Sequence, residues 1–326
     1  MNGVVWCPDS VDHLRQAVAD AHAARQPMSS VDLTTLSRVV DFSPDDMTVT
    51  TEAGITVEAL QRTLATAGQW LPVDPPHAAT TSVADLLHDD ISGPRRFAHG
   101  TIREHVLGMA AVLGDGRLIR SGGRVVKNVA GYDIAKLLVG DGRSLGLLVE
   151  VTFKLSPLAA VERFFTWSSA SLGAIEDELT QLLSGPTEPV LVDLHNLDRP
   201  ERTDAASRHA DGGGPWSLVI GFAGHAADVA WQAGQLDAAW TSVDALAHDD
   251  RFWTNRRFAS TRRVSVLPSR LVDHVRTLPV DVGFVSRAGN GVVYTAEPRD
   301  TTRTPSPLEQ RLKVTYDPHH ILPGLT

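Results

Sequence analysis

Apolar residues in the first third of the chain recur at helical spacing. Val11, Leu14, Ala17, Val18 and Ala21 follow Ser10, so residues 11–24 read as an amphipathic helix with Ser10 as its N-cap. Val4-Val5-Trp6-Cys7 ahead of it reads as a short strand ended by Pro8. Met47–Ile55 alternates like a half-buried strand. Thr56 then opens a second helix with Val57, Leu60 and Leu64 on one face, and Gly68 ends it. Val106–Val112 and Leu145–Leu155 are apolar runs with strand character; the first continues through the turn Gly114-Asp115-Gly116 into a hairpin that reaches Arg120.

Beyond Pro157 the pattern starts afresh. Arg163–Trp167, Val190–Leu194, Trp216–Phe222, Arg263–Leu267 and Val280–Val285 read as strands. Ser171 caps a helix bearing Leu172, Ile175, Leu179 and Leu182, and Ala226–Trp240 reads as another helix. Glu201–Gly214 is polar, ends in three glycines and reads as a surface loop. Near the end, Ser306-Pro307-Leu308-Glu309 combines an N-cap, a proline at the first helical position and a glutamate at the third, a capping box that predicts a helix to about Thr315.

Composition narrows the function classes. With 326 residues, 42% of them hydrophobic, the chain is long enough for two cores. The formal net charge of −9 argues against sequence-independent nucleic-acid binding, which needs clustered cations. Cys7, the single cysteine, has no internal disulfide partner, and no Cys/His spacing suggests zinc or an iron–sulfur centre, so no metal is expected. No apolar run approaches the roughly 20 residues of a membrane helix, and no basic segment followed by an apolar core opens the chain. The expectation is a cytoplasmic protein with no membrane span.

The chain is organised around Gly122-Gly123-Arg124-Val125-Val126-Lys127-Asn128-Val129-Ala130-Gly131-Tyr132-Asp133, held between two strands and followed by Gly140, Gly142 and Gly146. Such a loop lets backbone amides approach a flat or anionic ligand; it is equally compatible with a pair of tight turns in an ordinary sheet. The neighbouring runs Gly93-Pro94-Arg95-Arg96, Gly100-Thr101-Ile102-Arg103-Glu104, Val106-Leu107-Gly108, Lys127–Asp133 and Leu145–Val151 decide the matter. Together with the tail Leu308–Gly324 they resemble the FAD-binding subunits of bacterial glycolate oxidases, in the flavoprotein family of vanillyl-alcohol oxidase and p-cresol methylhydroxylase. The resemblance implies an α+β, two-domain FAD-binding fold. Residues 1–157 would form the FAD-binding domain, 158–298 an α+β cap domain, and 299–326 a C-terminal helix and tail returning to the FAD domain. It implies FAD contacts at Pro76, Gly93, Pro94, Arg95, Arg96, Gly100, Arg103, Lys127, Asn128, Gly131, Tyr132, Gly146 and Leu147.

Two departures from the family matter. After the first helix the family carries a glycine-rich loop whose amides hold the pyrophosphate; here the run is Gln26-Pro27-Met28-Ser29-Ser30-Val31-Asp32-Leu33, without a glycine. After Pro75-Pro76-His77 the family has Thr-x-Gly-Gly; here stands Thr80-Thr81-Ser82-Val83-Ala84-Asp85, with Asp89-Asp90 close behind. Asp85 or Asp90 beside a pyrophosphate would repel it.

The cap departs as well. Related 2-hydroxyacid dehydrogenases have a His-Ala-Gly-Asp/Asn-Gly-x-x-His motif; the matching run is Arg287-Ala288-Gly289-Asn290-Gly291-Val292-Val293-Tyr294, with arginine and tyrosine in place of both histidines. Neither is a neutral-pH base, so the loop shape is expected to outlast the chemistry. Arg263 and Arg287 are the candidates for holding a substrate carboxylate; for Arg263 an interface salt bridge is an equal alternative. No catalytic residue is singled out. The resemblance thus implies an oxidoreductase subunit of a complex acting on a small 2-hydroxy acid, with a sister catalytic flavin subunit and an iron–sulfur subunit as partners. The competing expectation is a degenerate paralogue that has lost FAD and serves as a structural subunit. The reductase of peptidoglycan precursor synthesis is a weaker third resemblance, which the cap and tail fit less well.

Overall fold

A computed structural model describes residues 5–28, 30–123, 134–198, 216–254, 256, 261–279, 281–298 and 304–325. The chain forms two compact units. The first comprises Met1–Ser92, Thr101–Leu158 and Thr301–Thr326; the second comprises Gly93–Gly100 and Ala159–Asp300.

The first unit is built on a five-stranded antiparallel sheet of β1 (Val39–Ser43), β2 (Thr48–Glu52), β3 (Val106–Leu113), β4 (Leu118–Gly122) and β5 (Gly146–Lys154), in the order β1-β2-β5-β3-β4. Helix α1 (Val11–Ala24) starts at Ser10, whose hydroxyl accepts from the His13 amide, and ends at Arg25 in a left-handed conformation. It buries Leu14 and Val18 against Ala110 and Val112 of β3, Leu147 and Val149 of β5, and Ile321 and Leu322 of the tail. Helix α2 (Val57–Ala65) and the short helix α3 (Val83–His88) complete the unit with the C-terminal helix Pro307–Tyr316. That last helix carries the capping box read from the sequence: the Glu309 amide donates to Ser306 Oγ and the Ser306 amide to Glu309 Oε2.

The expected half-buried strand at 47–55 is β2, and all five of its residues are buried. It lies inside the sheet, between β1 and β5, and is covered on both faces. Its polar groups find partners there: Thr50 bonds Thr152 at 2.9 Å, and Glu52 accepts from the Arg38 amide and guanidinium. Burial alone would raise the Glu52 carboxyl, but the Arg38 bonds carry it below its usual range.

The second unit has a seven-stranded antiparallel sheet. Its strands are β6 (Val161–Ser169), β7 (Leu191–His195), β8 (Trp216–Gly224), β9 (Thr241–Val243), β10 (Thr261–Ser265), β11 (Phe284–Arg287) and β12 (Val292–Pro298), in the order β9-β6-β8-β7-β11-β12-β10. Helices α4 (Leu172–Ser184), α5 (Ala226–Ala233), α6 (Ala247–Trp253) and α7 (Leu271–Thr277) accompany it. Ile175, Leu179 and Leu182 of α4 pack with Leu218, Ile220 and Phe222 of β8 in its core. The helix expected over Ala226–Trp240 stops at Ala233, with Gly234 at its cap. The strand expected at Val280–Val285 starts later, at Phe284, and the loop expected at Glu201–Gly214 lies outside the described residues.

Gly93–Gly100 groups with the second unit, although the sequence reading puts it in the first. The reason is local. Arg95 donates two bonds to Glu162 of β6 and lies over the Phe164 ring, the Ala98 amide donates to Val190 O, and Phe97 packs on the second core.

Candidate functional site

A tightly bonded loop of the first unit runs from Val139 to Leu148, at the entry to β5. Gly140, Gly142 and Arg143 all have left-handed backbone conformations. Asp141 sits at its centre. Its carboxylate accepts from His88 Nδ1 at 2.5 Å, from the Arg143 amide at 3.1 Å and from the Leu145 amide at 3.0 Å. The Leu148 amide donates to His88 Nε2 at 3.4 Å, so Nε2 is the acceptor and Nδ1–H is the donor to Asp141. His88 and Asp141 are both almost fully buried.

Three other segments fasten the same loop. Arg103 donates to Val139 O at 2.8 Å. The amides of Gly140 and Gly142 donate to Leu87 O and His88 O at the end of α3. Lys313 of the C-terminal helix, itself buried, donates to Ser144 O at 2.9 Å, to Asp317 Oδ2 at 2.7 Å and to the carbonyls of Leu322 and Pro323. Asp317 also receives the amides of Ile321 and Leu322. One ammonium thus ties loop, helix and tail together with every donor used, as a buried charge requires.

Of the expected FAD contacts, Arg103, Gly146 and Leu147 come together here. Leu147 turns its side chain into the core with Leu14 and Val18, so its backbone alone faces the loop. Pro76 is buried, and its carbonyl accepts from the Thr81 hydroxyl. Gly93, Pro94, Arg95, Arg96 and Gly100 belong to the second unit, where Arg95 is committed to Glu162. Lys127, Asn128, Gly131 and Tyr132 lie outside the described residues.

Asp85 has a different role from the one its sequence position suggests. It closes a capping box with Ser82 at the start of α3, and its carboxylate pairs with the Arg143 guanidinium. Asp90 stands beside Gly140 with a left-handed backbone. The spacing Ser82-x-x-Asp85 is itself a capping-box signal that was open to sequence reading. His88, Asp141 and Lys313 gave no such signal, since their partners are distant in sequence or are backbone carbonyls.

In the second unit the degenerate motif keeps its shape. Ala288–Asn290 forms a tight turn, and Gly291 has φ 68° with a Cβ position only 2.1 Å from Val266 O, so glycine is required. The two ends of the motif meet. The Arg287 guanidinium lies 5.7 Å from the centre of the Tyr294 ring, and both residues are buried. Arg287 is 0% exposed and donates to Asp193 at 2.6 Å and to Asp249 at 2.6 Å. Burial opposes its charge, but the two carboxylates outweigh that and raise its pKa further. His248 bonds Asp193 at 2.9 Å and stacks on His195, while Trp253 donates to Asp249. Burial, with His248 next to it, pushes His195 down to about 3, so it is neutral at ordinary pH. The guanidinium expected to hold a substrate carboxylate is therefore enclosed by carboxylates of the chain itself. Arg263 is exposed on the edge strand β10.

Residues 21–122 match a family model described as an FAD binding domain. The chain is 37% identical over 120 residues to glycolate oxidase subunit GlcE of Escherichia coli, a match covering 36% of this chain and 34% of that protein. It is 25% identical over 165 residues to glycolate oxidase subunit GlcD of Bacillus subtilis, covering 51% of this chain and 35% of that protein. A probable mitochondrial D-lactate dehydrogenase of Danio rerio is 36% identical over 123 residues, covering 37% of this chain and 24% of that protein. The matched stretch thus spans about a third or less of each relative's length. Among solved structures, an alkyldihydroxyacetonephosphate synthase superposes with a TM-score of 0.70 at 17% identity, covering 98% of this chain and 75% of that one. The fold is the two-domain α+β FAD-binding fold of the vanillyl-alcohol oxidase and p-cresol methylhydroxylase type, and FAD is the cofactor the domain match and the relatives indicate. No described helix is long and apolar enough to cross a membrane.

Proposed function

We propose, from this FAD-binding fold and its likeness to glycolate oxidase subunits, that the chain is the auxiliary flavin-type subunit of a complex that oxidises a small 2-hydroxy acid. Its part is to pass electrons or support assembly beside a sister catalytic flavin subunit and an iron–sulfur subunit in the cytoplasm. The observation that carries this reading is Arg287. The position where catalytic relatives have a histidine is a buried arginine held by Asp193 and Asp249, with Tyr294 beneath it. Oxidation of a hydroxy acid needs a base within hydrogen-bond reach of the substrate; here the motif position is a guanidinium, and the buried carboxylates and His248 around it are engaged with one another. Loop 139–148, fixed by Asp141, Arg103 and Lys313, would give bound FAD a backbone platform built by these bonds.

The test is anaerobic mixing of the purified, FAD-supplemented chain with glycolate or D-lactate, followed by absorbance. The expected result is no bleaching of the flavin by substrate and rapid bleaching once a sister catalytic subunit is added. Bleaching by the chain alone overturns the auxiliary role. A second reading, a structural subunit without cofactor, draws on one observation: the first amides of α2 and α3 already donate to groups of the chain itself.

A further inference from the structure

We propose that the phosphate end of the dinucleotide site is closed by the chain's own carboxylates, so that this chain recognises at most the flavin half of FAD. The inference rests on the reading above for the flavin half; the closure itself stands on hydrogen bonds in the first unit.

A diphosphate is held by backbone N–H groups at turns and helix starts or by cationic side chains. Within the stretch that matches the FAD-domain model, the starts of α2 and α3 have no amide to offer. In α2, the amides of Val57, Glu58 and Ala59 donate to Thr81 O, Ala78 O and Thr56 Oγ1. In α3, those of Val83, Ala84 and Asp85 donate to Ile55 O, Ala53 O and Ser82 Oγ, and the Ser82 amide donates to Asp85 Oδ2. At the helical turn Ile102–His105 the Thr101 amide donates to Glu104 Oε1 and the Glu104 amide to Thr101 O.

In the turn that stands where a glycine-rich loop is missing, alternate amides are in use. The amides of Asp32, Thr34 and Leu36 donate to Trp6 O, Asp32 Oδ1 and Leu33 O. The bond from Thr34 holds the Asp32 carboxyl below its usual range, so it is ionised. No gap separates this turn from the sheet. The Gly54 amide donates to Leu36 O, and a Cβ on Gly54 would lie 1.7 Å from Leu33 O.

Four described arginines of this unit have partners in the fold. Arg38 pairs with Glu52, Arg62 with Glu58, Arg143 with Asp85, and Arg103 with a carbonyl. An incoming diphosphate would have to displace Asp85 from both its cap and Arg143, next to that same carboxylate. Asp32, Asp85 and Glu104 occupy the donors that a phosphate would use.

The test is a ligand series on the wild-type full-length chain: FAD, riboflavin and ADP, by fluorescence titration and melting curves. Two charge-assisted bonds to a phosphate amount to roughly a hundredfold in affinity. The expected result is FAD and riboflavin binding within about threefold of each other, and no rise in melting temperature with ADP, since a ligand of the folded state must raise it. If FAD binds more than about thirtyfold tighter than riboflavin, or ADP stabilises the chain, the closure is overturned while a flavin site stands. If neither flavin binds and ADP has no effect, the closure stands, flavin retention fails, and the structural-subunit reading takes its place.

Discussion

Replacing Arg287 with methionine isolates what the buried arginine does. Methionine keeps the length and apolar stem but removes the guanidinium, leaving Asp193 and Asp249 at the centre of the second unit with their charges uncompensated. Both carboxylates are nearly inaccessible, and their remaining donors are His248 and Trp253. Breaking a buried ion pair by removing one partner costs about 3–5 kcal/mol, and a unit of this size loses about 2–4 °C per kcal/mol. The melting temperature of Arg287→Met should therefore fall by roughly 6–20 °C. Neutralising the partners as well, in Arg287→Met/Asp193→Asn/Asp249→Asn, removes the stranded charges, and that triple variant should recover most of the loss, because the penalty of a broken buried pair comes from the uncompensated charge. Differential scanning calorimetry of the wild type and both variants measures this. A single variant melting within about 2 °C of the wild type would show that the pairs contribute little; a triple variant no better than the single would show that shape, not charge, sets the cost.

Other outcomes follow from the same geometry. Lys313→Met should cost about 3–5 kcal/mol in urea unfolding and speed amide exchange in loop 139–148, which Asp317→Asn should reproduce more mildly; unchanged exchange would refute the hub. Gly54→Ala should be among the most damaging alanine substitutions, above about 3 kcal/mol, because the atom in its way is the Leu33 backbone; a soluble variant with wild-type urea midpoint refutes it. His195 is neutral in the folded chain with its pKa near 3, against 6.5 unfolded. Between those values the unfolded chain binds the extra proton, so stability should fall as pH drops below about 6.5, by up to about 1.4 kcal/mol per pH unit, and His195→Gln should flatten that slope.

The parts legible in sequence are those set by local pattern. The 3.6-residue spacing of Leu14, Val18 and Ala21 located α1, and Ser306 with Glu309 located the last helix, because caps and amphipathic faces are short-range properties. The Gly291 turn was legible for the same reason. What lay beyond reach is pairing across distance. His88 finds Asp141 53 residues on, Asp193 finds Arg287 94 residues on, and Lys313 finds carbonyls, which no residue type announces. The charge of Asp85 suggested repulsion of a ligand; in the fold that charge is first a helix cap and then the partner of Arg143. Arg95 shows the opposite limit: its sequence neighbourhood resembles a cofactor segment, yet its guanidinium is committed to Glu162.

The Lys313 hub also sets an order of events. Ile321 and Leu322 complete the core that Leu14 and Val18 begin, and the ammonium that fixes them reaches back to Ser144. On the ribosome, the core around Val112 and Val149 therefore lacks Ile321 and Leu322 until the segment that carries them and Lys313 has emerged. Nearly all of the second unit, by contrast, is one uninterrupted run, 159–300, which can close while that wait lasts. Residues 101–158 are thus completed later than the run 159–300 that follows them, and a truncation that removes Lys313 with Ile321 and Leu322 should leave an exposed apolar face for chaperones to find.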